Sequence, residues 1–418
     1  MQKPKGTVDI TPLTIPGWHQ IEEAIKSLTH FYHIQEIRTP IFEASEVFHR
    51  SVGELSDIVT KETYTFLDRG ERSMTLRPEG TAGIVRAFIE QKLYVMPQKL
   101  YYVGPMFRYE RPQAGRQRQF HQFGVEYFGH QDAASDAEVI AFGITLLELL
   151  GVSSYKLKIN YLGDEDTKRR YAKALVEYFT PIKDQLSKDN QTRLATNPLR
   201  ILDDKSITYA DVPTIDPFLT EDDQRYLSEL KAYLTALNIP FEADPAIVRG
   251  LDYYTGLVFE VHSTHPSFGS QTALYGGGRY DNLVKEFGGP PTPAVGFAIG
   301  LERLLLAMDF DGVLQTYHDH VDVAICSMPT TLVAAFSLTQ SIRLSGFVTE
   351  RMDHAKALSN QLKQANRLDA RLLVIVAEDE WAKGQVLVKV DGQQHAIPVD
   401  QLIDFLDGYM EDHHETHA

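Results

Sequence analysis

Between Lys99 and Gly129 the chain gathers side chains suited to a substrate with an aromatic base, anionic phosphates and an amine. Two strand-like runs, Leu100 to Tyr109 and Gln119 to Phe128, flank a polar loop with Pro112, Gly115 and Arg116, the composition of a long β-hairpin. Side chains alternate along a strand, so Phe120, Gln122, Gly124 and Glu126 share one face while His121, Phe123, Val125 and Tyr127 share the other. The second face is apolar and can pack. The first carries a flat aromatic, an amide and a carboxylate, and Arg108 can join it from the neighbouring strand. A half-buried hairpin with a solvated outer face would use the same residues, and the pattern alone leaves both readings open.

Other stretches carry possible chemistry beside an ordinary structural role. Leu76-Arg77-Pro78-Glu79-Gly80-Thr81 reads as a strand turning into a helix over 82–91, with Thr81 at the helix start and Glu79 just before it. A carboxylate there is often only a cap or a partner of the helix dipole. Two tyrosines, Tyr253 and Tyr254, lie between Gly250 and Gly256, as a turn packed on a core would have them. Gly276-Gly277-Gly278 follows a strand over 272–275 but lacks the GK[ST] of a P-loop and the GxGxxG of a dinucleotide fold. Close backbone approach, leaving room beside Tyr275, is the better reading. The terminal EDHHETHA holds three histidines, yet its charge and position suggest disorder rather than a metal site.

The elements that must position these groups follow from periodicity. Ile21, Ile25, Leu28 and Phe31 recur at helical spacing over 17–31, and an extended piece over 35–40 follows. A helix is expected over 135–150 with Val139, Phe142, Leu146 and Leu149 on one side, then a strand over 156–160. From Asp164 to about Leu237 the texture is helical, charged and broken at Pro181, Pro198, Pro213 and Pro217, as in a separate helical insertion. An apolar strand over 294–299 enters a helix over 300–308. Beyond about His318, strands over 321–326, 347–350 and 372–376 alternate with helices over 330–343, 355–368 and 401–409, which argues a small α/β domain.

At 418 residues and 43% hydrophobic, the chain exceeds one ordinary core and suggests two or three domains. Its single cysteine, Cys326, excludes an internal disulfide and a Cys-based zinc site, which fits a reducing cytoplasm. Neither the N-terminus nor any later stretch approaches the ~20 apolar residues of a membrane span, so a soluble, untargeted, cytoplasmic protein is expected. Lys plus Arg is 41 against 57 Asp plus Glu, a net charge of −16. That field repels nucleic acid at long range and counts against a sequence-blind nucleic-acid binder, though not against local basic patches.

The stretch FRYERPQAGRQRQFHQFGVE resembles motif 2 of class II aminoacyl-tRNA synthetases in its histidyl version. LRPEGT at 76–81, VRGLDYYTG at 248–256 and AVGFAIGLERL at 294–304 occur in the order and spacing of histidyl-tRNA synthetases, so the resemblance covers nearly the whole chain. It implies an α+β fold: a class II catalytic domain built on a mostly antiparallel sheet, with a helical insertion and a C-terminal α/β anticodon-binding-like domain. The implied boundaries are 1–163 and 241–317 for the catalytic domain, 164–240 for the insertion, 318–409 for the anticodon-binding domain and 410–418 for a flexible tail. The helix over 17–31 and its following strand resemble motif 1, which in the family builds a homodimer interface. INYLGD and RLATNPLRILDDK resemble the bacterial insertion domain that lies against the acceptor arm of tRNA, with Lys168, Arg169, Arg170, Arg193 and Arg200 as candidate phosphate contacts.

The resemblance further implies ATP-dependent activation of L-histidine to histidyl-adenylate, with Mg2+ bridging the outer phosphates, and transfer of the histidyl group to the 3′ end of tRNA(His). By the same resemblance Arg249 and Arg108 are catalytic, clamping the α-phosphate. Glu79 and Thr81 hold the α-amino group, while Gln122, Glu126, Tyr253 and Tyr254 line the imidazole pocket. Phe120 and Arg303 sandwich adenine, and Arg116 holds the γ-phosphate. No metal-ligating side chain and no editing domain is assigned. The sequence departs from the family pattern at Gln117, where tyrosine is frequent, and at Ala377, where glycine is usual. The alternative is a catalytically silent histidine-binding paralogue such as the regulatory subunit of ATP phosphoribosyltransferase. That family generally lacks the tRNA-reading domain and the full RGLDYY stretch, both of which have counterparts here.

Overall fold

The structure, a computed structural model, describes residues 1–52, 62–113, 115–204, 211–248, 253–269, 272–317 and 321–414. It divides after Thr316 into two compact units. The first opens with α1 (Ile15–Phe31), which carries Pro16 in its first turn, where a missing N–H leaves no hydrogen bond unmade. Ile21, Ile25 and Leu28 are buried as their spacing predicts. Phe31 is not: it closes the helix where the chain turns away, and it is 77% exposed.

The 35–40 extension forms only a two-residue strand, β1 (Gln35–Glu36). Then come β2 (Phe42–Ala44), α2 (Ser45–Val52), β3 (Tyr64–Leu67), β4 (Ser73–Leu76) and α3 (Thr81–Glu90). The hairpin is β5 (Gln98–Phe107) with β6 (Gln119–Phe128), in register from Gln98 opposite Phe128 to Phe107 opposite Gln119. Its first strand stops two residues short of the expected Tyr109, because the Tyr109 N–H donates to the Glu62 carbonyl instead of continuing the ladder. Next is α4 (Ala133–Leu149), capped by the Asp132 carboxylate, which accepts from the Ser135 N–H. Its buried surface extends well beyond the one side expected, since α1 and the sheet both pack on it; Leu149, at its end, is exposed.

The strand β7 (Tyr155–Tyr161) leads into α5 (Glu165–Phe179), α6 (Lys188–Thr196) and α7 (Glu221–Ala236). Asp164 caps α5, and Thr220 with Asp223 forms a reciprocal capping box on α7. These helices share cores with the sheet: Leu230 and Leu234 of α7 join one, Tyr171, Leu175 and Phe179 of α5 the other. The unit closes with β8 (Phe241–Ala243), β9 (Thr255–Ser263), β10 (Ala273–Arg279), α8 (Leu283–Glu286), β11 (Ala294–Gly300) and α9 (Leu301–Phe310). The glycine run does not follow a strand; it lies inside β10.

Eight of these strands form one sheet in the order β1-β5-β6-β11-β10-β9-β7-β8, antiparallel except for a parallel pair at each edge. A smaller sheet, β2-β4-β3, stands beside it. Phe123, Phe142 and Phe297 meet in the core beneath the sheet, with ring centroids 5.9 to 6.1 Å apart. The opposite core holds the rings of Tyr102, Tyr253, Tyr254 and Tyr280. That aromatic face carries the candidate site.

The second unit contains β12 (Val323–Ser327), α10 (Leu332–Leu344), β13 (Thr349–Arg351), α11 (Leu358–Arg367), β14 (Leu372–Val376), α12 (Glu378–Trp381), β15 (Gln385–Val390), β16 (Gln393–Pro398) and α13 (Leu402–His414). Its sheet runs β13-β12-β14-β15-β16, parallel in the first three strands and antiparallel in the last pairings. The β15–β16 hairpin adds to the elements expected from periodicity, and Asp391-Gly392 marks it: both have positive φ, 48° and 75°, as a tight hairpin turn requires. The terminal helix runs through His414, into the stretch 410–418 expected to be a flexible tail; residues 415–418 lie outside the described residues. Among the described residues no helix is long and apolar enough to cross a membrane.

Candidate active site

A cavity of about 250 Å³ opens on the aromatic face of the large sheet. One end is carboxylate-bearing. Glu79 precedes α3, and its oxygens accept from the backbone N–H groups of Thr81 at 2.6 Å and Ala82 at 2.8 Å. Gly80 at the cap position has no side chain to offer, so Glu79 satisfies the open helix end while facing the cavity. Glu126, from β6, accepts from the Thr81 hydroxyl at 2.6 Å and from the Tyr280 hydroxyl. Because Thr81 donates to Glu126, its lone pairs remain free to accept from a substrate ammonium.

Both carboxylates are almost fully buried. Burial raises the pKa of Glu79 against its two backbone donors, and pushes Glu126 up to about 8 against the Thr81 and Tyr280 hydroxyls, with Glu79 adding a like-charge push. The pair is therefore poised to receive positive charge. Beside them Gln122 accepts from the Tyr102 hydroxyl at 3.0 Å, which leaves its amide N–H2 as the group available to a ligand.

The other end is cationic. Arg108 sits just past β5 and donates through Nε to the Pro78 carbonyl at 2.8 Å, which ties it to the turn bearing Glu79. Its guanidinium lies 5.3 Å from the ring of Phe120, and Glu110 stands 3.9 Å from Arg108 and 3.6 Å from Arg116. Arg303, in the first turns of α9, is pulled down to about 10 by burial and by nearby Arg116, and stays charged at neutral pH. The hairpin loop reaches Arg303 because Gly115 has φ +68° and no side chain: a Cβ there would sit 3.0 Å from the Arg303 side chain and 2.9 Å from Leu306. His121, on the packed face of β6, locks hairpin to helix through Glu302, which accepts its backbone N–H at 2.9 Å.

Every sequence-predicted site residue among the described residues borders this cavity: Glu79, Thr81, Arg108, Arg116, Phe120, Gln122, Glu126, Tyr253, Tyr254 and Arg303. Arg249 lies outside the described residues. Sequence reasoning missed Tyr280, Tyr102 and Gly296. Tyr102 is opposite Gly124 in the hairpin register, on the same face as Gln122 and Glu126, so strand parity could have found it. Gly296 pairs with Glu126, and a Cβ on it would fall 2.1 Å from Glu126 Oε2. Of the five candidate phosphate contacts, Lys168 donates to the Tyr254 carbonyl at 2.9 Å and Arg169 pairs with Asp166 at 2.6 Å. Arg170 donates to the Phe218 carbonyl at 2.7 Å, and Arg193 to Asn190 Oδ1 at 3.2 Å; Arg200 borders a second cavity together with Lys168 and Arg169. Among the described residues no cluster of three His, Cys, Asp or Glu side chains stands ready for a metal.

The antiparallel sheet, the long hairpin and the two-ended cavity are the arrangement that the resemblance to class II synthetases leads one to expect. The family model for histidyl-tRNA synthetase matches residues 6–163 and 184–304. A histidine-tRNA ligase of Lacticaseibacillus casei (strain BL23) is 48% identical over 416 residues, covering 97% of each chain, and one of Geobacillus sp. (strain WCH70) is 45% identical over 415 residues, covering 97% of this chain and 98% of the relative. The crystal structure of apo Staphylococcus aureus histidyl-tRNA synthetase superposes with a TM-score of 0.83 at 38% identity, over 97% of this chain and 99% of the other. The chain belongs to the histidyl-tRNA synthetase family.

Proposed function

We propose that this chain is a histidine-tRNA ligase: it joins L-histidine to ATP as histidyl-adenylate and passes the histidyl group to the 3′ end of tRNA(His). The observation that carries the reading is the single cavity with a buried carboxylate pair at one end and arginines at the other. An amino acid brings an ammonium and an imidazole to the first end. ATP brings phosphates to the second. Full-length relatives at 45–48% identity named as ligases favour this over the silent paralogue.

In this reading Glu79 and the Thr81 lone pairs hold the α-ammonium. Glu126 and Gln122, with Tyr253 and Tyr254 as walls, receive the imidazole. A site that hydrogen-bonds a polar side chain rejects analogues lacking it by about 10⁴ to 10⁵-fold, so no editing domain is needed. A histidine carboxylate oxygen attacks the α-phosphorus, the new P–O bond forms as the bond to the β-phosphate oxygen breaks, and pyrophosphate leaves. Arg108 and Arg249 clamp the α-phosphate as charge redistributes, which suits guanidinium forks whose charge is permanent. Phe120 and Arg303 sandwich adenine and Arg116 meets the γ-phosphate. Once the adenylate has formed, the terminal ribose hydroxyl of tRNA attacks its acyl carbon and AMP departs.

Magnesium is typically held by one or two carboxylates plus substrate phosphates rather than by an all-protein cage. Among the described residues lining the cationic end the one carboxylate is Glu110, which fits that pattern. Bound with ATP, the ion would neutralise the outer phosphates. We place the protein in the cytoplasm as a homodimer, paired across β1, whose two residues are both exposed at the edge of the large sheet, near the exposed Phe31 of α1. The unit after Thr316 is assigned to the anticodon and the α5–α7 segment to the acceptor arm. The test is charging of tRNA(His) with labelled histidine: ATP-dependent formation of an alkali-labile histidyl ester supports the reading, and histidine binding without any ester contradicts it.

A further inference from the structure

Glu126 is gripped on both oxygens. The Thr81 hydroxyl donates to Oε1 and the Tyr280 hydroxyl to Oε2. The carboxylate lies in a slot that only glycine at position 296 leaves open, and Tyr280 is itself 2% exposed, with its ring edge-on to Tyr253 at 5.5 Å. Thr81 and Tyr280 come from separate elements, one from the start of α3 and the other from the residue after β10, and reach different oxygens. Together they fix the rotation of the carboxylate about its last bond. Either hydroxyl alone would leave one oxygen free to swing.

We propose that Tyr280 is a positioning residue for histidine selection, acting through Glu126: its hydroxyl holds the carboxylate in the one orientation whose remaining lone pairs meet an imidazole N–H. This rests on the reading of the cavity as a histidine pocket. The hydroxyl also bears on when Glu126 is charged. Burial and the facing Glu79 hold the proton on it to about pH 8, Thr81 and Tyr280 oppose them, Tyr253 and Tyr254 line the same cavity, and the Tyr102 phenol lies within electrostatic reach of Glu126. Free imidazole loses its proton near pH ~6.5. A bound Glu126–imidazole pair shares one proton, so binding is best between that value and the Glu126 value. Above the upper limit both partners have lost the proton they must share. Removing the Tyr280 donor destabilises the carboxylate and moves that upper limit to higher pH.

The experiment is calorimetric titration of histidine, without ATP, into the wild type, Tyr280→Phe, Glu126→Gln and the double variant, from pH 6 to pH 9.5. Tyr280→Phe is expected to weaken binding at pH 7 by about 10 to 100-fold, the value of a hydrogen bond to a charged group. Its high-pH limb is expected to fall at higher pH than the wild-type limb. Ionisations of histidine itself are common to both proteins and cancel, and a lower active fraction does not move a limb. In the Glu126→Gln background Tyr280→Phe is expected to cost less than about twofold, because the two residues act as one unit. Equal loss in both backgrounds, or an unmoved limb, overturns the proposal. Because binding needs no catalysis, failure of the ligase reading would show separately, as absent charging with histidine still bound.

Discussion

Glu126 sits with its proton retained to about pH 8 in a pocket that is otherwise built to receive a cation. The sign of its effect on stability follows from linkage. An unfolded glutamate loses its proton near pH ~4.3, so across the interval up to about 8 the unfolded chain binds fewer protons and the folded state loses stability as pH rises. The penalty is absent below the unfolded value and complete above the folded one. Glu126→Gln removes it. Thermal unfolding of the ligand-free protein should therefore show the variant gaining on the wild type from pH 5 to pH 8, by an amount on the order of a few kcal/mol at the upper end. A gap that does not change with pH would mean that Glu126 titrates normally. The same substitution should weaken histidine binding, since an amide cannot take the charge of the imidazolium partner.

Strands position the site, and they do so through glycines. Within β10 and β11 a Cβ on Gly277 would fall 2.1 Å from the Gly296 carbonyl, and one on Gly296 would strike both Val125 and Glu126. Gly296→Ala should lower stability by about 1–3 kcal/mol or more, and should abolish histidine binding in whatever protein remains folded. Denaturant unfolding with calorimetry on the folded fraction separates the two effects. Lys168 ties α5 to the loop bearing Tyr254, so Lys168→Met should raise the histidine KM several-fold while Lys168→Arg restores part of it, measured by pyrophosphate exchange; a hydrogen bond of this type is worth ~1 kcal/mol.

Much of this was legible beforehand because strand parity is a rigid rule. Phe120, Gln122 and Glu126 had to share a face once the hairpin was recognised, and the structure puts all three on the cavity. The partners of those residues were less legible. Tyr280 reaches Glu126 across 154 positions of sequence, a pairing that only the order β6-β11-β10 creates. Local pattern also misjudged helix ends, where Phe31 and Leu149 keep the apolar spacing but stand largely exposed. The β15–β16 hairpin escaped because its strands are short and partly polar, leaving the Asp391-Gly392 turn as the main signal.

At the scale of the molecule, the residues lining the cavity all come from the unit before Thr316, and each unit has its own apolar cores. A chain ending at Thr316 should therefore keep histidine-dependent activation while charging of tRNA falls sharply. Equal loss of both activities would show that the second unit is needed to build the site. The net charge of −16 adds that RNA must be met through local patches, so charging should weaken steeply with salt only where those patches touch phosphate.

The most direct measurement is exchange of labelled pyrophosphate into ATP, with histidine as the only amino acid and tRNA left out, in the wild type beside Arg108→Ala. Joining of the two cavity ends in one reaction predicts exchange that requires histidine and falls by about 10² to 10³-fold in the variant, the usual loss when one charge-stabilising donor is removed. No exchange in a wild type that still binds histidine would contradict it, and would leave the cavity as a binding site without activation chemistry.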